Sequence, residues 1–250
     1  MQQARISREI EFVGDANQEA NVKGNLLPKR MCSVDYFETP IITVGTVTSS
    51  PYTVTAAGTS ASVAASAGGV IGVTFTTGTD DNAIAYLAAT PLVFDISQNP
   101  AIETKINITD VTGSVVFFGF SDALTETTPA ATIDYADGTL AAAATDAVGF
   151  VIDADKASSA VYCASIATGG SVTATAAAPS TVWTDGQSKT LRVELDSSGN
   201  AKFYIDGALV NYTATAVTDV PLCAMYNVGN RDGSSDTVYA RYLAKFQDIP

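Results

Sequence analysis

The sequence has 250 residues, of which 46% are hydrophobic, and 26 Asp and Glu against 13 Lys and Arg give it a net charge of −13. So acidic a chain repels a phosphate backbone, which excludes direct nucleic-acid binding, and no run of about 18 apolar residues offers a membrane-spanning helix. Histidine is absent, which removes the Ser-His-Asp and Cys-His pairs and every His-ligated metal site.

Residues 1–36 form a segment of their own. Arg5, Arg8, Lys23, Lys29 and Arg30 balance Glu9, Glu11, Asp15, Glu19 and Asp35 there, so all of the net charge falls on residues 37–250. Ile6, Ile10 and Val13 would share a helix face, and Ile6, Ile10 and Phe12 a strand face, so the period chooses neither. Gly24-Asn25 and Pro28 interrupt any regular element. The segment reads as an extended arm that orders on a partner, or else as a solvated tail. Arg5, Arg8, Lys29 and Arg30 are its candidate partner-binding residues. The start, Met1 to Glu9, has no apolar core of a secretion signal, so a chain retained where it is made is expected.

Strand patterns begin at Pro40. Ile41 to Thr48 is β-branched nearly throughout, and Pro51 ends it. Residues 54–69 are small and polar around Val54 and Val63. Val70 to Thr76 reads as the next strand, followed by a turn at Asp80-Asp81-Asn82. Leu92 to Ile96, Ile102 to Thr109 and Val115 to Phe120 follow. In the second of these, Ile102, Ile106 and Ile108 share one face while Glu103, Lys105 and Asn107 share the other, a strand with one wet side. Ala147 to Asp153 and Ala160 to Ile166 come next, across an Asp-rich turn.

The clearest hairpin lies further on. Leu191, Val193 and Leu195 alternate with Arg192, Glu194 and Asp196, and Ser197-Ser198-Gly199-Asn200 turns the chain into Ala201 to Asp206. Asp-Gly pairs at 137–138, 185–186, 206–207 and 232–233 mark further turns. The final pattern, Val238 to Phe246, puts Val238, Ala240, Tyr242, Ala244 and Phe246 on one expected face and Tyr239, Arg241, Leu243 and Lys245 on the other. Evenly spaced strands without a convincing helix predict an all-β antiparallel sandwich over 37–250 behind the arm.

Three stretches in this order carry a resemblance. They are Glu103 to Asp110 leading into Val116-Phe117-Phe118-Gly119-Phe120-Ser121-Asp122; Val148-Gly149-Phe150-Val151-Ile152-Asp153; and Leu191 to Leu195 through Phe203-Tyr204-Ile205-Asp206-Gly207 to the closing strand. Residues 92–250 resemble the concanavalin A-like lectin/glucanase jelly rolls. The variant with Phe-Phe-Gly-Phe-Ser-Asp and no secretion signal is also similar to tailed-bacteriophage virion proteins, among them head decoration (cement) proteins. That likeness implies an arm that clamps the major capsid lattice and a sandwich that faces solvent.

Each chemical constellation has a plainer explanation beside it. Glycanases of this fold class carry a Glu-x-Asp-x-x-Glu strand; Glu194-Leu195-Asp196 lacks the third acid, and a solvated hairpin face explains the pair better. Asp153 with Asp155, and Asp80-Asp81-Asn82, could offer oxygens to Ca²⁺, but turn chemistry accounts for both. Tyr52, Tyr135, Trp183 and Tyr226 are the aromatic candidates for a lectin site, with core packing the competing role. Cys32, Cys163 and Cys223 lack metal or disulfide spacing and read as buried thiols. The small-residue tracts at 54–69, 136–147 and 167–179 are expected to pack against sheets or neighbouring subunits.

The expectation is therefore a non-enzymatic structural protein on the outer surface of a virion head, made in the host cytoplasm. It would need no cofactor, metal or catalytic residue, and neither nucleic acid nor membrane as partner. Its partners would be the major capsid protein and neighbouring copies of itself. The alternative is a glycan-binding module of a tail fibre or other host-facing component.

Overall fold

A computed structural model of the chain describes residues 30–37, 47–49, 52–65, 72–80, 83–89, 94–123, 132–156, 160–178 and 182–248. The strands among them are β1 (Arg30–Asp35), β2 (Val47–Ser49), β3 (Tyr52–Ala57), β4 (Ser62–Ala65), β5 (Val73–Thr76), β6 (Ile84–Ala89), β7 (Ala101–Ile108), β8 (Ser114–Ser121) and β9 (Ile133–Ala136). They continue as β10 (Thr139–Ala142), β11 (Ala147–Asp153), β12 (Val161–Ile166), β13 (Thr173–Ala176), β14 (Ser188–Leu195), β15 (Ala201–Ile205), β16 (Ala208–Thr213), β17 (Cys223–Asn230) and β18 (Thr237–Asp248). The one helical turn described, Ile96–Gln98, is capped by the Asp95 carboxylate.

Two antiparallel sheets result. The first, sheet A, runs β16-β15-β14-β7-β18-β5-β4, with β1 also on β18; the second, sheet B, runs β13-β12-β11-β8-β17-β6-β3-β2. The expected two-sheet sandwich is thus the observed one. Its inner faces share one hydrophobic core, in which Phe118 stacks 4.9 Å from Tyr226 and Phe150 meets Phe203 edge-on at 5.4 Å.

Sheet A shows the alternation read from the sequence. Ile102, Ile106 and Ile108 are fully buried, as are Leu191, Val193 and Phe203, while Glu103, Lys105, Arg192 and Glu194 point out. The β14–β15 turn is organised by Asp196, whose carboxylate accepts from the Ser198 and Asn200 backbone N–H groups and from Asn200 Nδ2.

The central strands of sheet B, β6, β8, β11 and β17, are buried on both faces. The β9–β10 hairpin lies over their outer side and closes a second hydrophobic cluster that includes Ile133, Tyr135, Phe117, Val151 and Met225. That third layer explains why β8 and β11 read as unbroken apolar runs rather than alternating ones. Gly119 and Gly149 face each other across β8 and β11, and a Cβ on Gly119 would overlap the Val148 carbonyl. The step into Phe120 and Phe150 therefore requires glycine.

Two sequence expectations are revised. Residues 30–35, placed in the arm, form β1 and pair with Leu243–Asp248 of β18. Phe37 follows in a left-handed conformation at φ 56°, buried against the Tyr52 ring at 5.6 Å, with its N–H donated to Asp35 Oδ1 at 2.7 Å. The closing strand also does not keep one alternation. Ala240 pairs with Ile106 and Leu243 with Thr104, so Arg241 and Tyr242 both stand opposite Lys105. This β-bulge inverts the faces: Val238 and Ala240 point inward, but Leu243 then takes the inward place and Tyr242, Ala244 and Phe246 turn out.

Candidate functional site

The outer face of sheet A is the open sheet face of the sandwich among the described residues. Cross-strand register builds it row by row: Leu209 beside Tyr204, Arg192, Glu103, Ala244 and Val34; then Tyr212 beside Lys202, Glu194, Ala101, Phe246 and Cys32. Tyr242 and Tyr36 extend the first row, with their rings 6.3 Å apart.

The charges on this face are tied together. The Arg192 guanidinium lies 4.5 Å from the Phe246 ring centroid, donates from Nε to Glu194 Oε1 at 2.8 Å, and reaches Glu103 Oε2 at 3.4 Å. Tyr242 donates to Glu103 Oε1 at 2.8 Å and Tyr204 to Glu194 Oε2 at 3.2 Å. Burial and the neighbouring carboxylate hold both phenols above their ordinary pKa. Burial likewise raises the Cys32 thiol beneath them, partly offset by Arg192.

At the end of the face lies a cavity of about 180 Å³, lined by Arg30, Asn99, Glu194, Leu195, Asp196, Asn200 and Lys202. It brings one expected partner-binding residue, Arg30, beside the acid pair considered for hydrolysis. Arg30 donates from Nη2 to the Asn99 carbonyl at 3.1 Å, stands 3.8 Å from Asp248, and lies 6.0 Å from the Phe246 ring centroid. Arg5, Arg8 and Lys29 lie outside the described residues.

Both members of the acid pair are held by neighbouring side chains and backbone. Glu194 is engaged by Arg192 and Tyr204, and Asp196 by its own turn. Burial raises the Asp196 pKa, but hydrogen bonds from Asn200 and Ser198 outweigh it and leave the carboxyl lowered, the reverse of a proton donor.

The other candidates resolve into structure. Asp153 accepts from Arg231 Nε at 3.2 Å and Nη2 at 3.0 Å, and Asp134 from the same Nη2 at 2.8 Å. Asp153 also takes the Tyr135 N–H at 2.7 Å, so this cluster pins the β9–β10 hairpin to the sheet with a guanidinium as its cation. Asp80, in the β5–β6 loop, receives the Thr59 N–H of the β3–β4 turn, while Asp81 and Asn82 lie outside the described residues. All four aromatic candidates for a lectin site are core residues: Tyr52, Tyr135, Trp183 and Tyr226 are at most 5% exposed. Trp183 donates Nε1–H to the Gln187 carbonyl at 2.9 Å. The exposed aromatics are others, above all Tyr36 and Tyr212. All three cysteines are buried thiols with no disulfide, and burial pushes the Cys163 thiol up to about 12.

The comparisons with known proteins can be set on this geometry. No family model matches the sequence, and neither does any curated protein. Solved structures match along nearly the whole chain. A protein of unknown function from Shewanella oneidensis MR-1 superposes with a TM-score of 0.58 at 9% identity, covering 95% of this chain and 96% of its own. A glycoside hydrolase family 16 endo-glucanase from Bacteroides ovatus gives 0.57 at 12% identity over 84% of this chain and 98% of its own. The carbohydrate recognition domain of Emp47p gives 0.56 at 11% identity over 86% and 94%.

The fold is the concanavalin A-like jelly roll. At these identities the likeness is one of architecture, and a concanavalin A-like sandwich serves hydrolases and lectins alike, so function must be argued from the side chains. In this concanavalin A-like chain β11 presents Ala147, Gly149, Val151 and Asp153 on the outer side of sheet B, beneath the third layer, and the Asp153 carboxylate there is taken up by Arg231 and the Tyr135 N–H.

Proposed function

We propose that this protein is a non-enzymatic adhesion component of a bacteriophage virion, a head decoration (cement) protein that binds the major capsid lattice and neighbouring copies of itself. The observation that carries this reading is the way the arm is joined to the body. Its last residues are a strand of sheet A, hydrogen-bonded to β18 from Arg30 to Asp35 and locked by buried Phe37. A grip taken by residues 1–29 would pass its load into the centre of a sheet rather than into a loose linker. The saturated carboxylates and the covered face of sheet B support adhesion over turnover. Many copies on a lattice would convert modest contacts into firm retention.

The test is reconstitution on purified heads that lack the protein. The full chain should fill its sites and raise the resistance of heads to rupture, and a chain lacking residues 1–29 should lose occupancy. Unchanged occupancy by the shortened chain would remove the role of the arm, and no binding by the full chain would remove the decoration reading.

A second reading is a glycan-binding module on a host-facing virion component. It is favoured by the cavity beside Asp196, where amide, carboxylate and cationic side chains converge on a space large enough for one sugar ring. Specific hits on a glycan array, abolished by Lys202→Ala, would select it. Polysaccharide turnover dependent on Glu194 would instead revive a hydrolase.

A further inference from the structure

We infer that two copies of this chain pair through the outer face of sheet A. This deepens the proposed function, which has neighbouring copies in contact, by naming the face they use.

Three features set that face apart. It is the aromatic face: Tyr36, Tyr204, Tyr212, Tyr239 and Tyr242 are half of the ten tyrosines in the chain. Tyr36, Tyr212 and Leu209 are 47%, 52% and 54% exposed, three of the five large hydrophobic side chains exposed among the described residues. Tyrosine and arginine on a flat, well-packed surface are the side chains that dominate protein–protein contacts, because they bury much area for few rotatable bonds.

The face is also close to neutral. Arg30, Lys105, Arg192 and Lys202 stand on it against Glu103, Glu194 and Asp248, whereas the whole chain carries −13. Two such chains repel one another wherever carboxylates dominate. Their Coulomb cost of contact is least where the excess is absent, and salt screens the remaining charges beyond about 8 Å. Lys105 and Lys202 make no ion pair among the described residues. They are available to the carboxylates of a mate related by a twofold axis, which places the same patch on both sides of the contact.

The third feature is size. The strands from β16 to β5, with β1 on β18, span roughly 30 Å across and 20 Å along, about 600 Å² in projection. Side-chain relief raises that toward the ~800 Å² per partner of a standard interface. Among the described residues the central strands of the other sheet face, β6, β8, β11 and β17, are buried beneath the cluster that the β9–β10 layer closes.

The experiment is sedimentation equilibrium of the full chain from about 1 to about 300 µM, a span that brackets micromolar self-association. The expected result is a mass rising to twice that of one chain. Tyr36→Glu and Tyr212→Glu, both at exposed positions, should each weaken pairing at least ~10-fold. Val182→Glu, at a position 55% exposed outside these strands, should leave it unchanged. A single-chain mass at every concentration would overturn the inference, as would a dimer indifferent to both glutamates. Occupancy on heads, measured with the same variants, separates the two claims. A monomeric chain that still decorates heads removes only the dimer face, and a dimer that never binds heads removes only the decoration.

Discussion

Arg231 grips Asp153 with two nitrogens, Nε at 3.2 Å from Oδ1 and Nη2 at 3.0 Å from Oδ2, and no part of the Asp153 side chain reaches solvent. The same guanidinium holds Asp134 on β9, so one cation joins the end of sheet B to the layer above it. Arg231→Met should cost about 3–5 kcal/mol, because it strands two carboxylates in a dry site. Pairing it with Asp153→Asn should restore part of that loss. Denaturant titration of the two variants checks the sizes, and hydrogen exchange should show the β9–β10 amides losing protection first.

Asn227 presents the opposite situation. It is fully buried in the middle of β17, and neither its Oδ1 nor its Nδ2 has a hydrogen-bond partner among the described residues. An unmet amide in such a place costs about 1–3 kcal/mol. Asn227→Val keeps a strand-favouring shape and should raise the melting temperature. A lower melting temperature would mean that the amide is serving a group bound there.

Gly119 and Gly149 allow β8 and β11 to approach where side chains elsewhere keep strands apart. Gly119→Ala should destabilise by about 1–3 kcal/mol or more, since the added methyl meets backbone that cannot rotate away. Gly207→Ala, at a β-turn with open space around the Cβ position, should cost less despite its φ of 81°. Comparing the two by thermal unfolding separates crowding from backbone strain.

Asp236 makes stability depend on pH in the unusual direction. Burial, with Asp110, Asp232 and Asp185 nearby, pushes its carboxyl up to about 6, although Ser114 donates to Oδ2 at 3.0 Å. The folded state then holds a proton that the unfolded chain has released, so stability falls as pH rises from about 4 to about 6 and stays reduced above. Asp236→Asn should stabilise at pH 7.5 by something on the order of 2–3 kcal/mol and change little at pH 4. Urea midpoints at the two pH values test the sign. Equal gains at both would assign the effect to packing.

Sequence reasoning reached furthest where alternation was strict. The β14–β15 hairpin and β7 followed from period-2 patterns with charged outer positions, and buried Trp183 followed from its bulk. The third layer over sheet B leaves no pattern to read in the sequence, because β9 and β10 are four residues each and their anchor, Arg231, lies 78 residues from Asp153 and 97 from Asp134. The facing of the closing strand departs from its sequence pattern for a local reason. A bulge leaves no mark in hydropathy: alternation groups Tyr242 with Val238, whereas the extra residue at Arg241–Tyr242 turns it outward. The aromatic candidates for a lectin site are core residues, while the exposed rings of Tyr36 and Tyr212 sit just past β1 and within β16.

The position of β18 governs the order in which this chain can fold. It lies between β7 and β5, and also carries β1, so strands near the start wait for residues 237–248; Arg30 and Asp248 are direct partners at opposite ends of the sequence. Any shorter nascent length leaves the β4–β5 hairpin and β1 as unclaimed edges. Closure across so long a loop is slow, and a chain caught before it is exposed to sticking to its neighbours.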